Sequence, residues 1–268
     1  MNKYYLNSNF LIRSITGFFY VIIILFSIEQ GGIFFRIIMM LLSFFCLFEY
    51  LVISKTKKFL IQIVPFFFVL SIVIDFFFEK GLTSYVMCFI PYSTIFFMIQ
   101  LFSKNSSHKE KIEQVSRLIF GLVYIIIPFY LVNYIYITIG KRLVLGTFIL
   151  IWTNDSLSYL IGKKWGKIKI SISISPKKSV EGFFGGLFFC SVLGFLLFNI
   201  WGKKYWLFLS FIIPFFATIG DFVESTIKRY YHVKNSGIWF PGHGGFLDRL
   251  DSFIFVIPII TTIINIIK

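Results

Sequence analysis

Charge is what this chain has least of. Only 14% of its 268 residues are charged and 12 are acidic, against 57% hydrophobic. A soluble domain of ordinary composition carries about 25% charged residues, so an ordinary soluble fold is excluded. Cysteine is scarce as well. Cys46, Cys88 and Cys190 each lie inside an apolar run, which excludes a disulfide framework or zinc-ligand spacing and points to buried, inert thiols. Familiar nucleotide signatures are missing: no G-x-x-x-x-G-K-[ST], and no G-x-G-x-x-G after a strand. A nucleotide, if one binds, has to be held by a membrane-embedded site. No small-residue cleavage site follows the first apolar run at Ser27–Gln30, so that run is expected to be a retained span rather than a signal peptide.

Apolar residues are what the chain has in abundance, in long runs rather than at a helical or strand period. Mean hydropathy is +0.85. A bilayer-spanning helix needs about 20 mostly apolar residues. Nine candidate spans meet that measure, at about 14–28, 33–53, 59–78, 82–102, 118–139, 143–162, 182–200, 205–227 and 252–267. The expected fold is an all-α polytopic membrane protein. Residues 1–140 would form N-terminal transmembrane helices, and 141–268 a C-terminal catalytic set with large connectors. The 38 Phe, the many Ile and the preference for Lys over Arg match what AT-rich codons encode. The net charge of +14 is therefore a weak pointer to nucleic acid. No basic stretch is interleaved with aromatics on a soluble surface, so nucleic-acid binding is set aside.

Orientation follows from Lys and Arg in alternate connectors. With the N-terminus in the cytoplasm, the far side holds Arg36, Lys80, Lys141, Arg142, Lys203, Lys204 and Lys268. The rest of the 26 basic residues fall on the cytoplasmic side. The large connectors Lys163–Lys178 and Lys228–Arg249 lie on that side, and any chemistry is expected at the cytoplasmic face.

The placement of the few acidic residues is informative. Asp221, Glu224, Asp248 and Asp251 gather near the C-terminus, while Asp155 and Glu181 bracket the other large connector. Carboxylates in or at the ends of apolar spans are costly, and by default mark function. On a helix, Asp221, Ser225 and Lys228 share a face with Glu224 beside them, and Asp248 and Asp251 share another. Two carboxylate groups on neighbouring helices could hold a hard cation such as magnesium. Equally, they could pair with Lys228, Arg229 and Arg249 as structural ion pairs.

Between the acidic groups runs Pro241, Gly242, His243, Gly244, Gly245. Such glycines let backbone approach a ligand and aim amides at an anion; an ordinary tight turn is the alternative. His243 could touch phosphate or hydrogen-bond its own loop. In the other connector, the alternation from Ile168 to Ile174 is strand-like, so a short hairpin or amphipathic strip is expected there. Lys177 and Lys178 follow; they could clamp phosphate or anchor the connector at the membrane surface.

These residues resemble the signature of phosphatidate cytidylyltransferases. The resemblance runs from Ser225 through Lys228 and Arg229 to Lys234, then from Pro241 to Asp251. A second stretch, from Asn154, Asp155 and Ser156 to Tyr159 and Gly162 and on from Ile174 to Gly182, is similar too. The N-terminal half matches in hydropathy, with Glu49-Tyr50 closing the second span. One departure stands out: the family usually has Asp after the lysine matching Lys234, and here Asn235 stands there.

The resemblance implies transfer of CMP from CTP to phosphatidate, giving CDP-diacylglycerol and pyrophosphate. It implies magnesium held by Asp221, Asp248 and Asp251, with Lys228 and Arg249 as further catalytic groups. Substrate binding would fall to Lys177, Lys178, Ser225, Arg229, Lys234, Gly242, His243, Gly244, Gly245 and Asp155. A homodimer in a bacterial inner membrane is also implied. A CTP-dependent lipid kinase of the polyprenol type, or a decayed inactive copy, are the alternatives.

Overall fold

The structure, a computed structural model, describes residues 3–58, 61, 62, 64, 65, 68–70, 92–99, 107–239 and 244–267, with side chains of the first helix from residue 16 onward. Helix α1 is Lys3–Gln30 and α2 is Gly32–Ile53. Helix α3, His108–Thr138, is wound as a π-helix over Leu122–Ile126. Helix α4 (Lys141–Trp165) leads through strands β1 (Lys169–Ser171) and β2 (Ser175–Ser179) into α5 (Val180–Trp201). Helices α6 (Tyr205–Tyr230) and α7 (Leu247–Ile267) complete the described chain.

Six helices, α2 to α7, are long and apolar enough to cross a membrane, and α1 adds a shorter apolar stretch, Thr16–Gln30. Helix is the form such segments have to take, because hydrocarbon offers the backbone no hydrogen-bond partner. Expected spans 59–78 and 82–102 lie largely outside the described residues. Helix α3 starts well before its apolar run, since Ser107 caps it by accepting from the Glu110 amide at 3.2 Å, a capping-box spacing. Cys46 and Cys190 are buried free thiols, as expected; Cys88 lies outside the described residues.

The chain divides into two compact units, Met1–Tyr134 with Asn235–Arg249, and Ile135–Lys234 with Leu250–Lys268. In the first, Gly31 and Gly32 at φ 65° and 52° turn the chain between α1 and α2, a conformation that glycine takes without a Cβ clash. Tyr50 of α2 packs flat against Gly121 of α3, where a Cβ would stand 2.7 Å from the ring. Gln114 ties the connector after α2 to α3, accepting from the Lys57 amide and donating to the Lys55 carbonyl, both at 3.3 Å.

The second unit is organised by α5. Gly182, Gly186, Cys190 and Gly194 recur every fourth residue and are all buried, so they form one narrow ridge of small side chains. A Cβ on Gly186 would lie 2.0 Å from Ser158 Oγ of α4, and one on Gly194 2.3 Å from Ser210 Cβ of α6. The outward face of α5 carries Phe184, Phe188 and Phe195, all exposed. Small residues face protein and bulky ones face outward, the reverse of a soluble helix.

The strand-like alternation is realised as a hairpin. β1 pairs antiparallel with β2, Lys169 opposite Ser179 and Ser171 opposite Ser175. The second strand is the segment that carries Lys177 and Lys178, and Ser179 then caps α5 by accepting from the Gly182 amide at 3.2 Å.

Filling the α4–α5 seam should therefore destabilise the protein: Gly186→Leu is expected to cost about 1–3 kcal/mol, read as a lowered melting temperature in detergent. Phe188→Ala, on the outward face, should shift it far less. Equal shifts would contradict the ridge as the packing surface.

Candidate active site

Each unit carries a cluster of acidic groups among its described residues. In the first, α2 presents Phe45 and Glu49, one turn apart, toward residues 235–249. Phe45 stacks on Phe246 with ring centroids 4.6 Å apart and lies 5.6 Å from the Trp239 ring. Glu49 is only 2% exposed, and its carboxylate is fully engaged. It accepts from the amides of Phe246 at 3.0 Å and Leu247 at 2.9 Å and lies 3.0 Å from Ser236 Oγ. Those amides begin α7, where N–H groups have no partner within their own helix and the dipole favours an anion. Glu49 thus caps α7 from a helix almost 200 positions earlier in the chain.

Asp248 closes the same loop from within. Its Oδ2 accepts from the Ser236 amide at 2.8 Å and the Gly245 amide at 2.9 Å, and lies 2.9 Å from Ser236 Oγ. The Ser236 hydroxyl has one proton for two carboxylates, and its oxygen accepts the Asp248 amide at 3.2 Å. This arrangement explains the glycines. Gly244 sits at φ 89°, and a Cβ there would be 2.1 Å from Asp248 Oδ2; one on Gly245 would be 2.2 Å from Glu49 Oε2. These two glycines admit backbone to the protein's own carboxylates. Pro241, Gly242 and His243 lie outside the described residues. Asn235 is exposed.

In the second unit, β2 delivers Lys178 to α6. Its Nζ is 2.6 Å from Asp221 Oδ2, donates to the Thr218 carbonyl at 3.4 Å and lies 4.7 Å from the Phe222 ring centre. Ser225 donates to Asp221 Oδ1 at 3.2 Å, so the expected face of Asp221 and Ser225 is present. Lys228 instead pairs with Glu224, the structural alternative for that residue. The two pairs differ in access: side-chain exposure is 25% and 34% for Lys178 and Asp221, but 11% and 0% for Lys228 and Glu224. Only the first is open to a ligand. Lys177 and Lys234 are exposed, and Arg229 donates to the Val233 carbonyl at 3.1 Å.

Asp251 takes its place through α7. Its carboxylate accepts the Ser252 amide at 2.7 Å, and Ser252 Oγ reaches the Ala217 carbonyl of α6 at 3.3 Å. The close approach rests on Gly220, where a Cβ would be 2.8 Å from the Asp251 carbonyl. Asp251 lies in electrostatic reach of Asp221, Asp155 and Lys178. Asp155 receives the Asn154 side-chain amide at 3.4 Å. Asp251 is thus the meeting point of two other carboxyl groups and one ammonium.

Magnesium suits such a donor set by chemistry, since it takes oxygen ligands, needs only one or two carboxylates and completes its shell with water and phosphate. Among the described residues, no three His, Cys, Asp or Glu side chains are close enough to enclose a metal by themselves. The ligands beyond two carboxylates would have to come from substrate and water.

Helices long and apolar enough to cross a membrane, with carboxyl groups and a lysine drawn together from three of them and the hairpin, define a polytopic helical protein. The chain belongs to the cytidylyltransferase family, whose model matches residues 11–267. Over 130 residues, 47% of the chain, it is 44% identical to a phosphatidate cytidylyltransferase of Staphylococcus aureus (strain COL). It is 42% identical over the same length to phosphatidate cytidylyltransferases of Staphylococcus epidermidis (strain RP62A) and Staphylococcus saprophyticus. Each match covers 50% of the relative; the chain spans about half the length of the curated relatives it matches.

Glu49 entered the sequence reading only as part of the resemblance, with no role given to it. The available signal was a lone carboxylate inside an apolar run. Glu49→Leu strands two amides and a hydroxyl and is expected to cost about 3 kcal/mol, with Glu49→Gln costing roughly half of that. Melting temperature and protease sensitivity of the 235–245 loop check this; a Glu49→Leu protein with wild-type values on both would refute the cap.

Proposed function

We propose that this chain transfers CMP from CTP to phosphatidate, yielding CDP-diacylglycerol and pyrophosphate. The observation that carries the reading is the cluster of Asp155, Asp221 and Asp251 around Lys178, in a member of the cytidylyltransferase family. The similarity to phosphatidate cytidylyltransferases supports the substrates.

In the proposed reaction a phosphate oxygen of phosphatidate attacks the α-phosphorus of CTP in line. The new P–O bond forms as the bond to the bridging oxygen of the β-phosphate breaks, and pyrophosphate leaves. Such transfers need mainly positioning and charge neutralisation. Lys178 is assigned to the phosphates, exchanging its contact with Asp221 for the substrate. Arg229, Arg249, Lys177 and Lys234 are assigned to the polyphosphate and lipid headgroup, and Lys228 supports them through its pair with Glu224. Ser225 holds the Asp221 carboxylate in place. Asp221 and Asp251 are the proposed magnesium ligands, the rest of the shell coming from substrate and water, and Asp248, first expected as a third ligand, is assigned instead to holding the 235–245 loop; the ion would neutralise charge on the phosphates. Gly242 and His243, with Gly244 and Gly245, are the proposed loop contacts to substrate.

Residues 141–268 are the proposed catalytic part. The same reading takes the chain as nine spans, N-terminus in the cytoplasm, site at the cytoplasmic face, dimeric in a bacterial inner membrane. Lipid tails stay in the bilayer while CTP arrives from the cytoplasm.

Purified protein in detergent with α-labelled CTP, phosphatidate and magnesium is expected to put label into CDP-diacylglycerol. Chelation should abolish the label, and added magnesium should restore it. Release of CDP with an unlabelled phospholipid would identify a kinase instead. No product from folded protein would point to a decayed copy, to be tested next with Asn235→Asp.

Asp221→Asn and Lys178→Gln should each lower turnover at least about a hundredfold while leaving the melting temperature near wild type. Wild-type turnover in either would sink the assignment of this cluster.

A further inference from the structure

The turns between α3 and α4 and between α5 and α6 form an open cavity of about 300 Å³, lined by Lys141, Arg142, Lys203, Trp201 and Tyr205 among others. At 1.5 Å per residue it lies about 20 Å along α4 and α6 from Asp155 and Asp221, at the opposite end of those helices. It therefore belongs to no part of the cluster described above.

Its lining has one sign of charge. Three of the lining residues are cationic and, among those described, none is acidic. Lys204 adjoins them in the same exposed turn. Two helices begin here and two end here, so their opposed dipoles largely offset, and the side-chain cations decide the potential. On the topology proposed above, this end faces away from the cytoplasm, the side depleted in Lys and Arg. A group of four cations there runs against that depletion, and Arg142 and Lys203 among them line the cavity itself.

The surroundings specify what kind of anion. Trp201 and Tyr205 stand at the ends of apolar helices, where amphipathic rings mark headgroup level. Just inward, Ile137, Ile200 and Phe208 are 65%, 71% and 63% exposed. A free phosphate has no use for exposed apolar side chains; an acyl chain hanging from a phosphate does. Basic pockets between transmembrane helices bind anionic headgroups at the cytoplasmic side, and the same pairing of cations with headgroup-level rings is available at this end.

We propose that this cavity binds an anionic phospholipid, its phosphodiester among Lys141, Arg142 and Lys203 and its chains along Ile137, Ile200 and Phe208. The lipid is a resident ligand and takes no part in the transfer reaction, so the site stands whether or not the proposed activity does.

The test is lipid binding to the full chain in zwitterionic detergent, followed by native mass spectrometry and by thermal melting. Phosphatidylglycerol, phosphatidylcholine and inorganic phosphate are the three probes. Phosphatidylglycerol should bind saturably and raise the melting temperature, weakening with salt, while phosphatidylcholine should not. The variant Arg142→Gln/Lys203→Gln should weaken phosphatidylglycerol binding about tenfold or more. Lys163→Gln/Lys164→Gln, exposed cations at the other end of α4, should leave it unchanged. Lys203→Gln alone, at an exposed turn position, should show the same ordering with a smaller step if the double variant melts without cooperativity. Binding undiminished by these changes, or equal for phosphatidylcholine, overturns the proposal. Inorganic phosphate competing as well as the lipid overturns it too, in favour of a soluble-anion site.

Discussion

Apolar surroundings leave a charged or polar group only what the protein itself supplies, and the architecture of both units follows from that. Backbone groups are satisfied by helix formation. Helix contacts are then made by small residues, because bulky side chains gain little by leaving lipid for protein. Gly182, Gly186, Cys190 and Gly194 on α5 face protein, while Phe184 and Phe188 face outward. Each carboxylate within these helices meets the same demand. Glu49 is answered by the first amides of α7 and Glu224 by Lys228.

The cluster of Asp155, Asp221 and Asp251 departs from that pattern. Asp251 lies in electrostatic reach of Asp155, Asp221 and Lys178, and Lys178 pairs with Asp221. Carboxyl groups gathered in this way repel one another, and on the proposed reading a divalent cation with phosphate would relieve that repulsion. This is the physical link between the cluster and the proposed transfer of a nucleotide onto a lipid phosphate. The glycine-bearing loop is linked to it differently. Gly244 and Gly245 bring backbone against Asp248 and Glu49, so this end of the loop is held by the protein before any substrate arrives.

Much of this was legible in the chain itself. Spans at 33–53, 118–139, 143–162, 182–200, 205–227 and 252–267 correspond to helices because long apolar runs have few alternatives in a bilayer. The hairpin was legible in the alternation from Ile168 to Ile174, although the pairing carried its second strand on to Ser175–Ser179. Asp221 and Ser225 share a face because helical spacing dictates it. The partners of the charged residues were less legible. Helical spacing allowed Lys228 to join Asp221, yet it pairs with Glu224, while Lys178, distant in sequence, supplies the contact to Asp221.

Composition and local spacing therefore determined that the chain is helical and apolar, where its helices run and which residue types carry charge. Tertiary structure alone decided which charges meet. Glu49 and Leu247 are 198 positions apart yet share a hydrogen bond, and nothing periodic connects them. Periodicity describes a residue's neighbours along one helix, but the partner of a buried carboxylate is chosen by how helices pack, which in α5 is set by where the side chains are smallest.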